Sequence, residues 1–175
     1  MIHSLLLALS LLVAPPKVIN RLLPVKALVV RDISKNYIVI HYDSGDYAST
    51  RRTLIRKSLS YHYYVKTDGT VVKFMDPKYK ANHAGSSMYQ GLFGMNNYSI
   101  GICLEHRGGA YTKAQYNSTA WLINILQSRF SDTTSRVVIG HSDVAIPRGR
   151  KKDPGKDFDW VFLHSQITSL RAPEV

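Results

Sequence analysis

With 175 residues, 45% hydrophobic and 20% charged, the chain suits one domain with a sizeable core and is too ordinary for a disordered or fibrous protein. Its single cysteine, Cys103, excludes an intramolecular disulfide framework and a cysteine-rich zinc finger. A net charge of +11 points to a polyanionic neighbourhood (nucleic acid, an anionic membrane face or a cell envelope), or to a basic surface with no single target.

The first feature along the chain is the apolar run Ser4–Ala14. It is too short for a spanning helix, which needs about 20 apolar residues. Its length fits the hydrophobic region of a secretion signal. No Lys or Arg precedes it, and Pro15 follows Ala14 directly. Export signal, uncleaved anchor and buried segment all remain open, with export or membrane contact through residues 4–14 the expectation. Residues 15–30 read as a connector broken by Pro15, Pro16 and Pro24, so the folded domain is expected over residues 31–175.

Tyr37–Tyr42 is a continuous apolar run and predicts a buried strand. Ser49–Leu59 has loosely helical spacing. Residues 61–66 and 70–75 flank Asp68-Gly69 and predict a hairpin. Residues 76–98 hold Pro77, Gly85, Gly91, Gly94 and Asn96-Asn97, and read as a long loop, which in a compact domain usually serves a site. Ser99–Glu105 and Arg136–Gly140 are further strands. Between them, Thr112 and Gln115 form a capping-box pattern ahead of a helix carrying Tyr116, Ala120, Ile123 and Phe130. Asp157 or Asp159 caps a last helix with Leu163, Ile167 and Leu170 as its stripe. The order predicts an α/β single domain: a central mixed sheet of about five strands with helices on both faces.

Seven histidines are present, and most histidines bind nothing. His41 and His141 stand out because each ends a β-branched run, where a sheet can hold a side chain rigidly. With Asp153 in the loop Lys151-Lys152-Asp153-Pro154, they make a possible His-His-Asp metal set. Such a set holds zinc and leaves a fourth position open to water, which is a hydrolytic arrangement. His62 alternates with Tyr61, so one of the two can line a cleft while the other packs. His106 beside Arg107-Gly108-Gly109 reads as a turn residue, His164 as a helix-face residue, and Cys103 as a small buried hydrophobe.

Several motifs then fall in one order: His41 after its strand, Ser60-Tyr61-His62-Tyr63 leading into Thr67-Asp68-Gly69-Thr70, Asn82-His83-Ala84-Gly85, Asn97-Tyr98-Ser99-Ile100-Gly101-Ile102, Gly140-His141-Ser142-Asp143-Val144-Ala145, and Arg150-Lys151-Lys152-Asp153-Pro154-Gly155 before Asp157-Phe158-Asp159-Trp160. Over roughly residues 36–165 the chain resembles the zinc-dependent N-acetylmuramoyl-L-alanine amidases, a family that includes small phage endolysins, cell-wall recycling amidases and animal peptidoglycan recognition proteins. The resemblance implies Zn²⁺ on His41, His141 and Asp153. It implies hydrolysis of the amide between the lactyl group of N-acetylmuramic acid and L-alanine. Lys151, two residues before the ligand Asp153, would face the developing oxyanion, and Tyr61 would orient water or the intermediate.

Substrate contacts are expected at Tyr42, Asn82 and His83, the last of which could instead satisfy loop backbone groups, with Asn82 standing where many members carry tryptophan. One branch places a glutamate at the strand position of Cys103; Glu105 lies two residues on, and Tyr61 is the preferred assisting group. The expected partner is peptidoglycan, without specific nucleic acid, and a monomer is expected to act on the cell wall or periplasm, either exported or released as an endolysin. Two other readings stay open: a non-catalytic peptidoglycan receptor on the same fold, and a basic nucleic-acid-binding protein, for which no helix-turn-helix, RNP or zinc-finger signature is found.

Overall fold

The computed structural model describes residues 14–24, 29, 37–130 and 137–169. The apolar run at 4–14 lies outside them except for Ala14, as does Leu170. Among the described residues, no helix is long and apolar enough to cross a membrane.

Six strands form the sheet: β1 (Val18–Asn20), β2 (Tyr37–Asp43), β3 (Tyr63–Val65), β4 (Val71–Lys73), β7 (Ser99–Glu105) and β8 (Val137–Gly140), in the order β1-β4-β3-β7-β2-β8. Within this sheet, among the described residues, only the β3–β4 hairpin pairs antiparallel. The mixed sheet is as expected, with one strand more than anticipated. The extra strand is β1, in the stretch expected to be a connector. It pairs with β4, Val18 opposite Val71, and Leu23 just beyond it is buried against Phe74 and Leu54. Prolines flank this segment without entering the ladder, so an edge strand is compatible with them. The long loop also has internal structure, a two-stranded ribbon of β5 (Met88–Tyr89) and β6 (Leu92–Phe93) followed by a 3₁₀ turn at Met95–Asn97.

Side-chain alternation splits the sheet into two faces. Ile38, Ile40, Ile100, Ile102, Leu104, Tyr63 and Val65 point to a core closed by α2 (Lys113–Phe130) and α4 (Trp160–Ser169). Tyr64, Val72 and Cys103 point the other way, against Leu54 of α1 (Tyr47–Lys57). Helices therefore cover both faces.

The caps follow from sequence chemistry. The Asp46 side chain accepts from the Ser49 N–H at 2.7 Å and starts α1. At α2 the Gln115 N–H donates to Thr112 Oγ1, and the Thr112 N–H donates to Gln115 Oε1, both at 3.1 Å, a reciprocal capping box. Asp159, not Asp157, caps α4 by accepting from the Phe162 N–H.

Candidate metal centre

β2 and β8 run parallel with Ile40 opposite Gly140. His41 and His141 therefore leave the carboxyl ends of adjacent parallel strands side by side, the edge of an open α/β sheet where ligands gather. His141 also opens a one-turn helix, α3 (His141–Val144), which the sequence reading did not anticipate. A side chain at Gly140 could not be fitted: a Cβ there would lie 2.9 Å from Pro154 Cδ.

The third expected ligand, Asp153, arrives on the 146–155 loop. The Ser142 N–H donates to the Asp153 carbonyl at 2.9 Å, and the Tyr111 hydroxyl donates to the Pro154 carbonyl at 2.8 Å. Arg150 ties this loop to the long loop, donating from Nη2 to the carbonyls of Ala84 and Ser86 at 3.1 and 2.7 Å. In the sequence Arg150 was one of several basic loop residues, and nothing in its spacing marked it as a clamp.

The expected ligand set converges. His41 Nδ1 lies 3.1 Å from His141 Nδ1, and each lies 3.0 Å from Asp153 Oδ2. All three residues are buried. His141 Nε2 faces the Ala84 carbonyl at 3.0 Å and must donate to it, so a neutral ring turns its Nδ1 lone pair inward. His41 Nε2 faces His83 Nδ1 at 3.0 Å, and a proton on His41 Nε2, donated to His83, turns its Nδ1 lone pair inward too. Two imidazole lone pairs and a carboxylate oxygen then meet at one point, a repulsive arrangement unless a cation sits among them. Ligand bonds of about 2.0 Å on a tetrahedral ion put donor atoms about 3.3 Å apart, close to the spacing here. The donor set fits a divalent metal with zinc preferences.

Electrostatics agree with that use. Burial lowers His41 to about 4, with the Asp153 contact only partly offsetting it, so the ring is neutral and ligand-ready at pH 7. Burial opposes charge on Asp153, but the imidazoles of His141 and His41 outweigh it and hold the carboxyl below the usual carboxylate range.

Above the centre lies an open cleft of about 420 Å³, lined among others by Tyr42, Asp43, Tyr61, Asn82, His83, Lys151 and Asp153. All the sequence-derived site residues but His41 line this cavity, and His41 lies fully buried beneath it. The Tyr61 ring stands 5.0 Å from the His41 ring. Burial, with the neighbouring Cys103, pushes the Tyr61 phenol well above its ordinary value, so it remains an O–H donor. Of the pair Tyr61 and His62, Tyr61 lines the cleft. His62 is buried, donates to the Tyr79 carbonyl and accepts from the Gly101 N–H. Lys151 is exposed on the rim beside Arg150 and Lys152.

Three further residues near the centre are held by structural contacts, with Cys103 the small buried hydrophobe expected. His83 borders the cleft, but its ring nitrogens face His41 and Ser99 Oγ. Its ring thus braces His41 while its edge still borders the cleft. Glu105 is buried and accepts from the Thr67 N–H and from Arg107, which ties it to the fold. Cys103 is fully buried, and burial pushes its thiol well above the ordinary value, so no thiolate forms. Asn96 in the long loop and Ser99 and Gly101 in the Asn97–Ile102 motif were noted in the sequence, but not as groups that hold His83 in place, because a support is recognisable only once the residue it supports is located.

The family described as N-acetylmuramoyl-L-alanine amidase matches residues 31–156. The 1,6-anhydro-N-acetylmuramyl-L-alanine amidase AmpD of Enterobacter cloacae is 38% identical over 119 residues, covering 67% of this chain and 62% of that protein. The chain thus spans less than two thirds of that relative's length. A crystal structure of a selenomethionine AmpD derivative has a TM-score of 0.70 at 28% identity, covering 88% of this chain and 95% of that one. The Escherichia coli amidase AmiD, in complex with the substrate anhydro-N-acetylmuramic acid-L-Ala-D-γ-Glu-L-Lys, has a TM-score of 0.69 at 29% identity, covering 82% of this chain and 60% of that one.

Proposed function

This chain belongs to the N-acetylmuramoyl-L-alanine amidase family, and from that premise we propose that it is a zinc hydrolase cleaving the amide between N-acetylmuramic acid and L-alanine in peptidoglycan. The observation that carries the reading is the meeting of His41 Nδ1, His141 Nδ1 and Asp153 Oδ2 within 3.1 Å at the floor of an open cleft. A receptor that only bound peptidoglycan would have no use for that convergence.

Zinc, when bound, supplies a Lewis acid and acidifies water to a pKa near 7. The rest is done by the chain's own groups. His41, His141 and Asp153 hold the ion and leave the cleft side open. Lys151 presents its ammonium to the scissile carbonyl oxygen as negative charge develops there. The Tyr61 hydroxyl, kept protonated by burial, orients the attacking water. Tyr42 and Asn82 contact the muropeptide from the cleft walls. All three ligands come from one chain, so a monomer suffices. The domain takes in β1 and Leu23 together with residues 31–175, and the apolar run at 4–14 exports the protein or holds it at a membrane, so that it acts on the wall from the periplasmic side, as a remodelling or bacteriolytic, endolysin-like enzyme.

The deciding experiment combines metal analysis with digestion of purified cell walls, scored by new L-alanine amino termini. Wild type is expected to carry one zinc per chain and to lose digestion on chelation. His41→Ala is expected to lose digestion by at least about 10³-fold, since the metal contributes several kcal/mol. Digestion unaffected by the chelator, or retained by His41→Ala, overturns the assignment. A soluble 1,6-anhydro muropeptide, the substrate class in the AmpD name, serves as the second substrate; cleavage of it alone would remove the lytic role and keep the bond specificity.

A further inference from the structure

We infer that the dipeptide His83-Ala84, clamped by Asn96, is a positioning unit that sets both metal-binding imidazoles, and that His83 controls how tightly the ion is held. The inference rests on the zinc reading of His41, His141 and Asp153.

His41 offers Nδ1 to the metal, so its one proton sits on Nε2, 3.0 Å from His83 Nδ1. That makes His83 Nδ1 an acceptor and puts the His83 proton on Nε2, which faces Ser99 Oγ at 3.4 Å. The Ser99 hydroxyl in turn donates to the Met95 carbonyl at 2.6 Å. Each link has only one polarity once the metal end is set, and the chain stops at a group that can only accept. The next residue serves the other ligand: the Ala84 carbonyl accepts from His141 Nε2 at 3.0 Å.

Two features hold this unit still. Asn96 Oδ1 accepts from the backbone N–H groups of both His83 and Ala84, at 3.0 and 2.7 Å. On β7, Gly101 leaves room for the ring; a Cβ there would come within 2.6 Å of His83 Cγ. An imidazole nitrogen is a more basic acceptor than a carbonyl, so the His83 bond both orients the His41 ring and raises its donor strength.

The test is the zinc dissociation constant, measured by competition with a chromogenic chelator, for wild type, His83→Phe and His83→Asn. Phe keeps a ring over Gly101 but offers no acceptor; Asn loses the ring but keeps an oxygen near the Nδ1 position. Positioning predicts zinc binding weaker by about 10–100-fold in His83→Phe and within roughly threefold of wild type in His83→Asn. A packing role predicts the reverse order, and that result overturns the inference. Wild type that binds no zinc removes the metal reading and this inference with it, whereas tight wild-type binding matched by His83→Phe removes this inference alone. A measurement on unaltered protein covers the case in which a variant fails to fold: ¹⁵N NMR of the zinc-loaded chain must show protons on Nε2 of both His41 and His83. A His83 proton on Nδ1 overturns the relay.

Discussion

Ile40 and His41 are neighbours on β2, yet they belong to regions built on different physics. Ile40 joins Ile38, Ile102 and Leu104 in an apolar cluster beneath α2 and α4, although α2 also buries Gln115, Ser118, Thr119 and Gln127. His41 faces the opposite side, where His62, His83, His141 and Asp153 are also buried. The apolar side is held by burial, which is non-directional and tolerant of detail. The cleft side is held by hydrogen bonds whose donors and acceptors must match one for one, because an unmatched buried polar group costs about 1–3 kcal/mol. One strand thus carries a forgiving surface and an exacting one, separated only by the two-residue period of its side chains. Stability should therefore be adjustable from one face and chemistry from the other.

The sharpest way to break that separation is Lys151→Ala. Lys151 is exposed, so its loss should leave stability within about 0.5 kcal/mol of wild type and zinc bound. Turnover should fall by about 10²–10³-fold, as expected when one preorganised partner of a developing oxyanion is removed. Single-turnover digestion together with metal analysis checks both halves, and full activity would end the role assigned to Lys151.

The complementary change is Leu163→Ala on α4, in the apolar core and fully buried. It should cost about 2–5 kcal/mol in urea unfolding and leave the zinc dissociation constant of the folded protein unchanged. A parallel loss of zinc affinity would show that the two faces are coupled through the sheet.

Acid should act on the cleft side. In the zinc-free protein His41 is held near 4, against an ordinary value of 6.5. Between those values the unfolded chain binds more protons than the folded one, so stability rises with pH through the window. The contribution is complete above pH 6.5 and lost as pH falls towards 4, in total roughly 3 kcal/mol. Asp153, lowered in the fold, adds a loss at still lower pH. Urea unfolding of chelated wild type and His41→Leu should diverge over pH 6.5 to 4, with the wild type alone losing this increment. Parallel curves would mean that His41 is not held neutral by the fold.

The two regions also differed in how much of them could be read in advance. The α2–α4 side was legible because its signals are local and periodic: the β-branched run of β2, the Thr112–Gln115 cap, and Leu163 with Ile167. β1 was missed because a three-residue edge strand takes its pairing from β4, some 50 positions away, and leaves no period of its own. The convergence of His41, His141 and Asp153 was legible through strand ends and motif order. Their supports were not. His83 was expected at substrate, and its place beside His41 shows only once Gly101 and Asn96 are seen around it; the Arg150 clamp depends on the long loop lying across the 146–155 loop. Supports act across distances in sequence that no local pattern records.

The smallest effect expected is a local one on the forgiving side. Thr112→Ala removes the hydroxyl that accepts the Gln115 N–H, and with it a 2.8 Å bond donated to the Thr67 carbonyl of the β3–β4 turn. A lost cap costs about 1 kcal/mol. The Thr67 link should not add greatly to this, because Thr112 is exposed and water can replace its hydroxyl at that carbonyl. Cleavage and zinc binding should match wild type, since nothing in the Thr112 contacts reaches the metal centre. Gln115, by contrast, is buried and donates Nε2 to the Glu105 carbonyl at 2.7 Å at the carboxyl end of β7. Gln115→Ala should cost more than Thr112→Ala in the same unfolding assay. Equal costs for the two would show that the capping box acts only on α2 and does not tie the helix to the sheet.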